Sequence, residues 1–255
     1  MKCSNNNNKI IHIGIIALLC CSLLSGCSMN AYPKEQPLHV NTASNLPIVR
    51  PAGLASNNVV IPYDAYVYDD ADFEYEAGLL INQTKNSVVC AVNPHKQIYP
   101  ASMTKILTAV VVMDAVNSGQ ISLNDTVVIR KEIEFNEANV TALGLEPGDY
   151  ITVNELLHGL LISSYNDCAI ALARYVSGSV SDFVDLMNKK AQELGATNSH
   201  FVNPHGLHDN NHYTTPYDLY LIFKEFLKYD TLVQIDSSSS YVLTMYKDSE
   251  KITTE

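Results

Sequence analysis

Residues 99–119 read YPASMTKILTAVVVMDAVNSG and contain the apolar run on which the prediction of the fold rests. Pro100 stands near its start and Gly119 just past the apolar run, an asymmetry typical of a helix. The long apolar run predicts a helix buried in the core of a domain. Ser102 and Lys105 are three residues apart in its first turn. Their Cβ atoms should therefore lie on one face, about 5–6 Å apart.

That pair of side chains has the chemistry of an activated nucleophile. A serine hydroxyl attacks poorly unless a base removes its proton. A lysine serves as that base only if desolvation or a nearby positive charge lowers its pKa. The apolar neighbours Ile106, Leu107 and Val110 would dry Lys105, and the helix dipole would favour negative charge near Ser102. An S-x-x-K spacing alone also fits a helix-capping serine with a surface lysine, so further motifs are needed.

Elements around this helix predict a mixed α/β domain. Residues 77–82 and 87–93 are apolar and partly β-branched with a short turn between them, which indicates a β-hairpin. Amphipathic spacing, capping residues and glycine stops predict further helices and late strands. The helices are expected at 152–162, 166–176, 181–194 and 216–228, and the strands at 241–246 and 251–254.

The N-terminus is interpreted as an export signal. Lys2 and Lys9 precede an apolar stretch at residues 10–24, which is too short to span a bilayer comfortably but suits a signal peptide. Leu24-Ser25-Gly26-Cys27 resembles the lipobox of bacterial lipoproteins, which implies cleavage before Cys27 and its acylation. The alternative is a plain secretory signal that happens to contain a cysteine.

Three regions are predicted on this basis. Residues 1–26 are the signal peptide, residues 27–73 are a lipidated cysteine with a Pro-, Asn- and Ser-rich tether, and residues 74–255 are the folded domain. The chain would be anchored to the extracytoplasmic face of a bacterial membrane through Cys27.

Composition excludes several other classes. The chain of 255 residues has no run of eighteen apolar residues, which excludes a polytopic membrane protein. After residue 26 it carries 27 acidic residues against 14 basic ones, a net charge of −13, which makes it a poor nucleic-acid binder. Cys90 and Cys168 remain in the folded region. They could form a disulfide, but their apolar flanks favour two buried free thiols.

A second motif lies about sixty residues beyond Lys105. Ser164-Tyr165-Asn166 forms an S-x-N set between two predicted helices, where a hydroxyl and an amide can relay a proton and hold a substrate. The surrounding phrases are LLISSYND at 160–167 and FVNPHGL at 201–207. With YPASMTK at 99–105, they make residues 77–255 resemble the D-alanyl-D-alanine carboxypeptidases. These are small penicillin-binding proteins with S-x-x-K, S-x-N and K-T-G motifs.

The resemblance implies an α/β (α+β) fold of the β-lactamase/transpeptidase type, with a helical cluster on an antiparallel sheet. It implies Ser102 as the acyl-forming nucleophile, Lys105 as its general base and Ser164 as a proton relay. Asn166 would hold the substrate's peptide amide and brace Lys105. The substrate would be the terminal D-Ala of a peptidoglycan stem peptide, and β-lactams would acylate the same serine. No metal and no organic cofactor is implied.

The four histidines of the segment 200–212 raise the alternative of a metal cluster. Pro204, Gly206 and several polar residues make this segment a loop, and the same phrase occurs in the carboxypeptidase family without a metal role. Hydrogen bonding around the cleft is therefore the favoured interpretation of His200, His205, His208 and His212.

Two features depart from the family pattern. Tyr165 stands where the family usually has a small residue, so its ring could narrow the cleft or stack on substrate. No K-T-G or H-T-G follows Asn166, and the sequence stops within a predicted strand. We therefore expect a C-terminally incomplete sheet in a fragment of a longer protein, or else an inactive relative.

Two other functions compete with the carboxypeptidase. A non-catalytic cell-wall-binding lipoprotein is compatible with the missing K-T-G. A class A β-lactamase would require S-D-N and a deacylating glutamate about sixty residues later. Tyr165 and the sequence around Glu225 do not fit that pattern.

Overall fold

The computed structural model describes Val59, Ile61, residues 76–247 and residues 250–254. All of them belong to one compact unit, Pro47–Glu255. The predicted signal peptide and Cys27 lie outside the described residues, as does most of the predicted tether at 27–73. Among the helices of the described part, none combines the length and the apolar character needed to cross a membrane.

The fold is mixed α/β, as predicted, and a short 3-10 turn, Ala101–Met103, leads into its first α-helix. The predicted helices and strands are all present, with small shifts at their ends. Sequence periodicity missed the strands β3 and β4, which are three residues long, and the one-to-two-turn helix α6. The elements of the described part are β1 (Gly78–Asn82), β2 (Ser87–Val92), α1 (Thr104–Asn117), β3 (Thr126–Val128), β4 (Tyr150–Thr152), α2 (Val153–Leu161), α3 (Asn166–Ser177), α4 (Val180–Leu194), α5 (Pro216–Phe226), α6 (Asp230–Asp236), β5 (Leu243–Lys247) and β6 (Glu250–Thr254).

Helix α1 is the centre of the core. Ten of its fourteen residues are buried, and it contacts α2, α3, α4 and α5. A helix surrounded in this way is apolar on every side, which explains the continuous run from Ala109 to Met113. The polar exceptions Thr104, Lys105 and Thr108 are buried at its N-terminal end. Buried polar side chains need hydrogen-bond partners, so this end of the helix differs from the apolar core and is the first place to look for a functional site.

Two antiparallel sheets accompany the helices. Strands β3, β4, β5 and β6 form one sheet in that order, while β1 and β2 form a separate two-stranded sheet. Tyr150 pairs with Tyr246 across β4 and β5, and their rings stack with centroids 5.2 Å apart. Helix α2 contacts β5, and α5 contacts β1. The predicted arrangement of a helical cluster packed on an antiparallel sheet is confirmed.

Two residues of the segment predicted as a tether pack on the domain. Val59 and Ile61 are both buried. The Val59 N–H donates to the hydroxyl of Tyr220 at 3.2 Å, and the hydroxyl of Tyr217 donates to the Val59 carbonyl at 3.0 Å. Both tyrosines belong to α5, so the chain is already held by the domain at residue 59, well before the predicted boundary at residue 73.

The loop between α4 and α5 is fixed to the start of α1 by a buried histidine. The Val202 N–H donates to His212 Nδ1 at 3.1 Å, and His212 Nε2 lies 2.8 Å from Thr104 Oγ1. Because Nδ1 accepts, the ring proton is on Nε2 and His212 donates to Thr104 as a neutral imidazole. Burial lowers the pKa of His212 to about 4. The charged form is therefore excluded from this position near neutral pH.

This burial predicts a specific acid sensitivity. The unfolded chain takes up a proton on His212 below about pH 6.5, whereas the folded chain does so only near 4. Between those values the unfolded state binds more protons, so stability falls as the pH falls. We expect the melting temperature of the wild type to drop about 5 °C more than that of His212→Asn between pH 6.5 and 4, measured by circular dichroism. His208→Asn, at an exposed loop position, is the control and should follow the wild type. Parallel curves for all three proteins would contradict the prediction.

Candidate active site

Ser102 lies in the 3-10 turn that opens α1, and Lys105 follows in the first turn of that helix. The residue before the serine, Ala101, has φ +48°, a left-handed conformation that alanine rarely adopts. The turn brings Lys105 Nζ to 3.2 Å from Ser102 Oγ. The two side chains predicted to share a face are therefore in hydrogen-bond contact.

Lys105 is almost fully buried, with 3% of its surface exposed. Its Nζ donates to Asn166 Oδ1 and to the backbone carbonyl of His205, each at 2.8 Å. Desolvation lowers the pKa of Lys105 to about 8, against a smaller opposing effect from the neighbouring Cys168. A neutral amine has two N–H bonds and one lone pair. Since two carbonyl oxygens take the N–H bonds, the lone pair is left to face Ser102 Oγ.

Ser164 reaches the nucleophile from the loop between α2 and α3. Its hydroxyl donates to Ser102 Oγ at 3.1 Å. Its φ of +57° is again left-handed, and such strain persists only where the surrounding structure enforces it. Ser102 Oγ thus lies between Lys105 Nζ and a second hydroxyl, an arrangement that can pass a proton between them.

Asn166 begins α3, and its side-chain amide has a fixed orientation. Nδ2 donates to the Thr141 carbonyl at 3.0 Å, and the backbone N–H of Asn166 donates to the same oxygen at 2.9 Å. Because the NH₂ group is engaged there, Oδ1 is presented to Lys105. The structure thus brings together all four residues that sequence reasoning placed in the folded part of the site.

The loop at 203–207 completes the surroundings of the lysine. Asn203 Oδ1 accepts the N–H groups of His205 at 3.2 Å and Gly206 at 2.6 Å. Gly206 has φ +89°, and a Cβ there would lie 1.8 Å from the Ala101 carbonyl oxygen. The loop backbone therefore presses directly on the turn that holds the nucleophile. Sequence reasoning missed this role and that of the His205 carbonyl, although the phrase NPHG was the signal for them.

Tyr165 does not stand out over the nucleophile as an isolated ring. It is partly buried and packs against the core, and its Cδ2 lies 3.2 Å from the position that a Cβ at Gly159 would occupy. Gly159 is in α2, and Leu243 of β5 approaches the same position at 3.2 Å. Cys168 Sγ comes closest, at 2.8 Å, so the absence of a side chain at Gly159 leaves room for all three neighbours, Tyr165 among them.

Other predictions from the sequence can be compared with the described residues. Cys90 and Cys168 are both free thiols, as favoured, but only Cys168 is fully buried and Cys90 is partly exposed. Across residues 76–247 and 250–254, no group of three or more His, Cys, Asp or Glu side chains is placed to hold a metal ion. Two of the four loop histidines are buried and hydrogen-bonded. His212 bonds to Thr104, and His205 accepts the Leu207 N–H.

Solved structures similar in fold to this chain include penicillin-binding proteins. Penicillin-binding protein 6B from Escherichia coli aligns with a TM-score of 0.58 at 27% identity, over 66% of this chain and 53% of that one. A D-alanyl-D-alanine carboxypeptidase from Mycobacterium tuberculosis aligns with a TM-score of 0.61 at 29% identity, over 81% of this chain and 70% of that one. The fold is that of the penicillin-binding and transpeptidase class.

Within that class, the chain belongs to the D-alanyl-D-alanine carboxypeptidase family (Peptidase_S11), whose family model matches residues 65–254. The carboxypeptidase DacF of Bacillus subtilis is 39% identical over 161 residues, which cover 63% of this chain and 41% of DacF. DacC of E. coli is 37% identical over 153 residues, covering 58% of this chain and 38% of DacC. The chain thus spans about two fifths of the length of these curated relatives.

The contact at Gly206 predicts an unusually costly glycine substitution. Gly206→Ala combines the strain of a positive φ with a Cβ inside the contact distance of the Ala101 carbonyl. Gly119→Ala is the matched control, because Gly119 has φ +74° and nothing within 4 Å of its Cβ position. We expect Gly119→Ala to lose about 1 kcal/mol of unfolding free energy and Gly206→Ala at least about 3 kcal/mol, measured by urea unfolding. Equal losses would show that the close approach does not exist.

Proposed function

We propose that this chain is a serine-type D-Ala-D-Ala carboxypeptidase that works through an acyl-enzyme on Ser102. The observation that supports this best is the placement of Lys105. Its Nζ is 3.2 Å from Ser102 Oγ, while two fixed carbonyl oxygens take its other hydrogen bonds at 2.8 Å. A buried lysine with a pKa of about 8 is poised to act as a base near neutral pH.

In the acylation step, neutral Lys105 takes the proton of Ser102 as Oγ attacks the carbonyl of the penultimate D-Ala. A C–O bond forms and the carbonyl oxygen becomes an oxyanion. The backbone N–H of Ser102, at the N-terminal end of the α1 region, is suited to stabilise that negative charge. Collapse of this intermediate breaks the peptide C–N bond and releases the terminal D-Ala.

The leaving amine needs a proton, and Ser164 is placed to deliver it. Its hydroxyl lies 3.1 Å from Ser102 Oγ, beside the atom to which the substrate carbon becomes bonded. In the proposed step Ser164 gives its own hydroxyl proton to the departing nitrogen and takes a replacement from protonated Lys105. Asn166 accepts a hydrogen bond from Lys105 and so keeps the lysine in place. Its proposed second role, holding the substrate's peptide amide, rests on the resemblance to the family. In deacylation the neutral lysine would activate a water molecule, which attacks the ester and regenerates Ser102.

The substrate class follows from the family. The curated relatives carry the name D-alanyl-D-alanine carboxypeptidase, and the related solved structures are penicillin-binding proteins. We therefore assign the peptidoglycan stem peptide as the substrate and β-lactams as covalent inhibitors that acylate Ser102. The signal-like residues 1–26 and the lipobox cysteine support a site of action outside the cytoplasm, with the protein anchored to the membrane through Cys27.

The catalytic assignment predicts serine-dependent labelling by a fluorescent penicillin. We expect Ser102→Ala to abolish the label and Lys105→Ala to slow labelling at least about 1,000-fold, measured by in-gel fluorescence and intact mass. Ser118→Ala, at the opposite end of α1, should label like the wild type. Because Lys105 must be neutral and its pKa is about 8, the wild-type rate should rise between pH 7 and 9.

Two results would overturn the assignment. If the chain takes no label that depends on Ser102, it is better described as a non-catalytic cell-wall-binding lipoprotein. If it turns over a chromogenic cephalosporin rapidly, it is a β-lactamase.

The anchoring assignment predicts lipid attachment at one cysteine. Metabolic labelling with a radioactive fatty acid should mark the wild type and Cys21→Ala but not Cys27→Ala. The reason is that only Cys27 follows the small residues of the lipobox. A wild type that is exported without fatty-acid label would reduce the N-terminus to a plain secretory signal, and label retained in Cys27→Ala would place the lipid on another residue.

A further inference from the structure

Asp167, the residue next to Asn166, is buried and receives four backbone hydrogen bonds. Its Oδ1 accepts from the N–H groups of Leu143 and Cys168, each at 3.0 Å. Its Oδ2 accepts from Gly144 at 2.7 Å and from Leu145 at 3.0 Å. Only 2% of the residue is exposed. Three of the four donors are consecutive residues of one segment, so the carboxylate fixes that segment onto the start of α3.

The same segment carries the group that orients Asn166. The Thr141 carbonyl accepts both the backbone N–H and the Nδ2 of Asn166, at 2.9 and 3.0 Å. An asparagine amide can turn over, which exchanges its oxygen and its NH₂ group. With the Thr141 carbonyl in place, only one orientation satisfies both ends of the amide. In that orientation Oδ1 faces Lys105.

We propose that Asp167 is a positioning residue for Lys105. By holding the segment 141–145, it keeps the Thr141 carbonyl against Asn166 Nδ2, and Asn166 in turn presents Oδ1 to the lysine. The reaction that this serves rests on the proposed function. The positioning itself concerns the geometry of the lysine and can be measured without any substrate.

The segment depends on such a holder because residues 141–145 belong to no helix or strand that would fix them. Gly144 has φ +86°, which a glycine adopts freely, so the local backbone does not by itself select this conformation. A carboxylate has enough lone pairs to accept all four N–H groups. An asparagine at 167 would instead turn an NH₂ group toward backbone N–H donors.

The test compares two buried carboxylates that accept N–H groups from adjacent parts of the loop between β3 and β4. Asp149 accepts the Glu146 N–H at 2.8 Å and is also buried, whereas the N–H groups of residues 143–145 donate to Asp167. Lysines labelled with ¹³C are titrated by NMR in Asp167→Asn and Asp149→Asn, using the full chain in detergent. Lys105→Arg identifies the signal of Lys105.

Desolvation is the main cause of the low pKa of Lys105, so loosening its partners admits water and moves the pKa back toward 10.5. We expect an upward shift of about one unit in Asp167→Asn and none in Asp149→Asn. The rate of penicillin labelling at pH 7.5 should fall about 100-fold in Asp167→Asn alone.

Two glycine substitutions test the proposal even if Asp167→Asn does not fold. Gly144→Ala and Gly148→Ala each strain a positive φ, and neither new Cβ meets anything within 4 Å. Of these two glycines, only Gly144 donates its N–H to Asp167. A rise in the pKa of Lys105 in Gly144→Ala but not in Gly148→Ala supports the proposal. An unchanged pKa in both Asp167→Asn and Gly144→Ala, or equal shifts in the control variants, overturns it. If the variants show these pKa shifts but the wild type takes no penicillin label, the proposed function is refuted and the positioning role of Asp167 stands.

Discussion

Burial of the Lys105 amine is the constraint on which the rest of the site depends. An amine removed from water must have its hydrogen bonds replaced by protein groups or pay a large desolvation cost. Here those groups come from Asn166 Oδ1 and the His205 carbonyl, which lie far along the chain from the lysine. The start of α1, the start of α3 and the loop at 203–207 must therefore meet at one point. The same desolvation lowers the pKa of the lysine, so its structural cost and its proposed use as a base have one origin.

Backbone strain concentrates at this meeting point. Ala101 and Ser164 both have positive φ, and the close approach of Gly206 to Ala101 tolerates no side chain. Each of these features is unfavourable locally. They persist because α1 is buried along most of its length and contacts four other helices, so that its N-terminal turn cannot relax without disturbing the core. The apolar body of the helix thus provides the rigidity that holds the reactive turn.

The sequence predicted the features that depend on side chains and missed those that depend on backbone groups. Side-chain spacing was enough to place Ser102 and Lys105 on one face. Ser164 and Asn166 were added by an S-x-N set whose meaning came from the resemblance to the carboxypeptidase family. The apolar period and the caps located all of the longer helices. Backbone acceptors such as the Thr141 carbonyl have no sequence signature, because every residue carries one. Short strands such as β3 lack a period long enough to detect, and they form because β4 is there to pair with them.

The same contrast between side chains and backbone indicates which residues outside the site are needed to keep its geometry. The partners that the four catalytic candidates have outside their own set are main-chain groups, the carbonyls of His205 and Thr141. A main-chain group can be moved only by changing what holds its loop. Two polar side chains hold these loops: Asn203 accepts from the 203–207 loop and Asp167 from the segment 141–145. Each accepts consecutive N–H groups on one side chain, so a single substitution removes several hydrogen bonds together. We therefore expect the geometry of Lys105 to be sensitive to substitution at positions that do not contact the lysine amine directly.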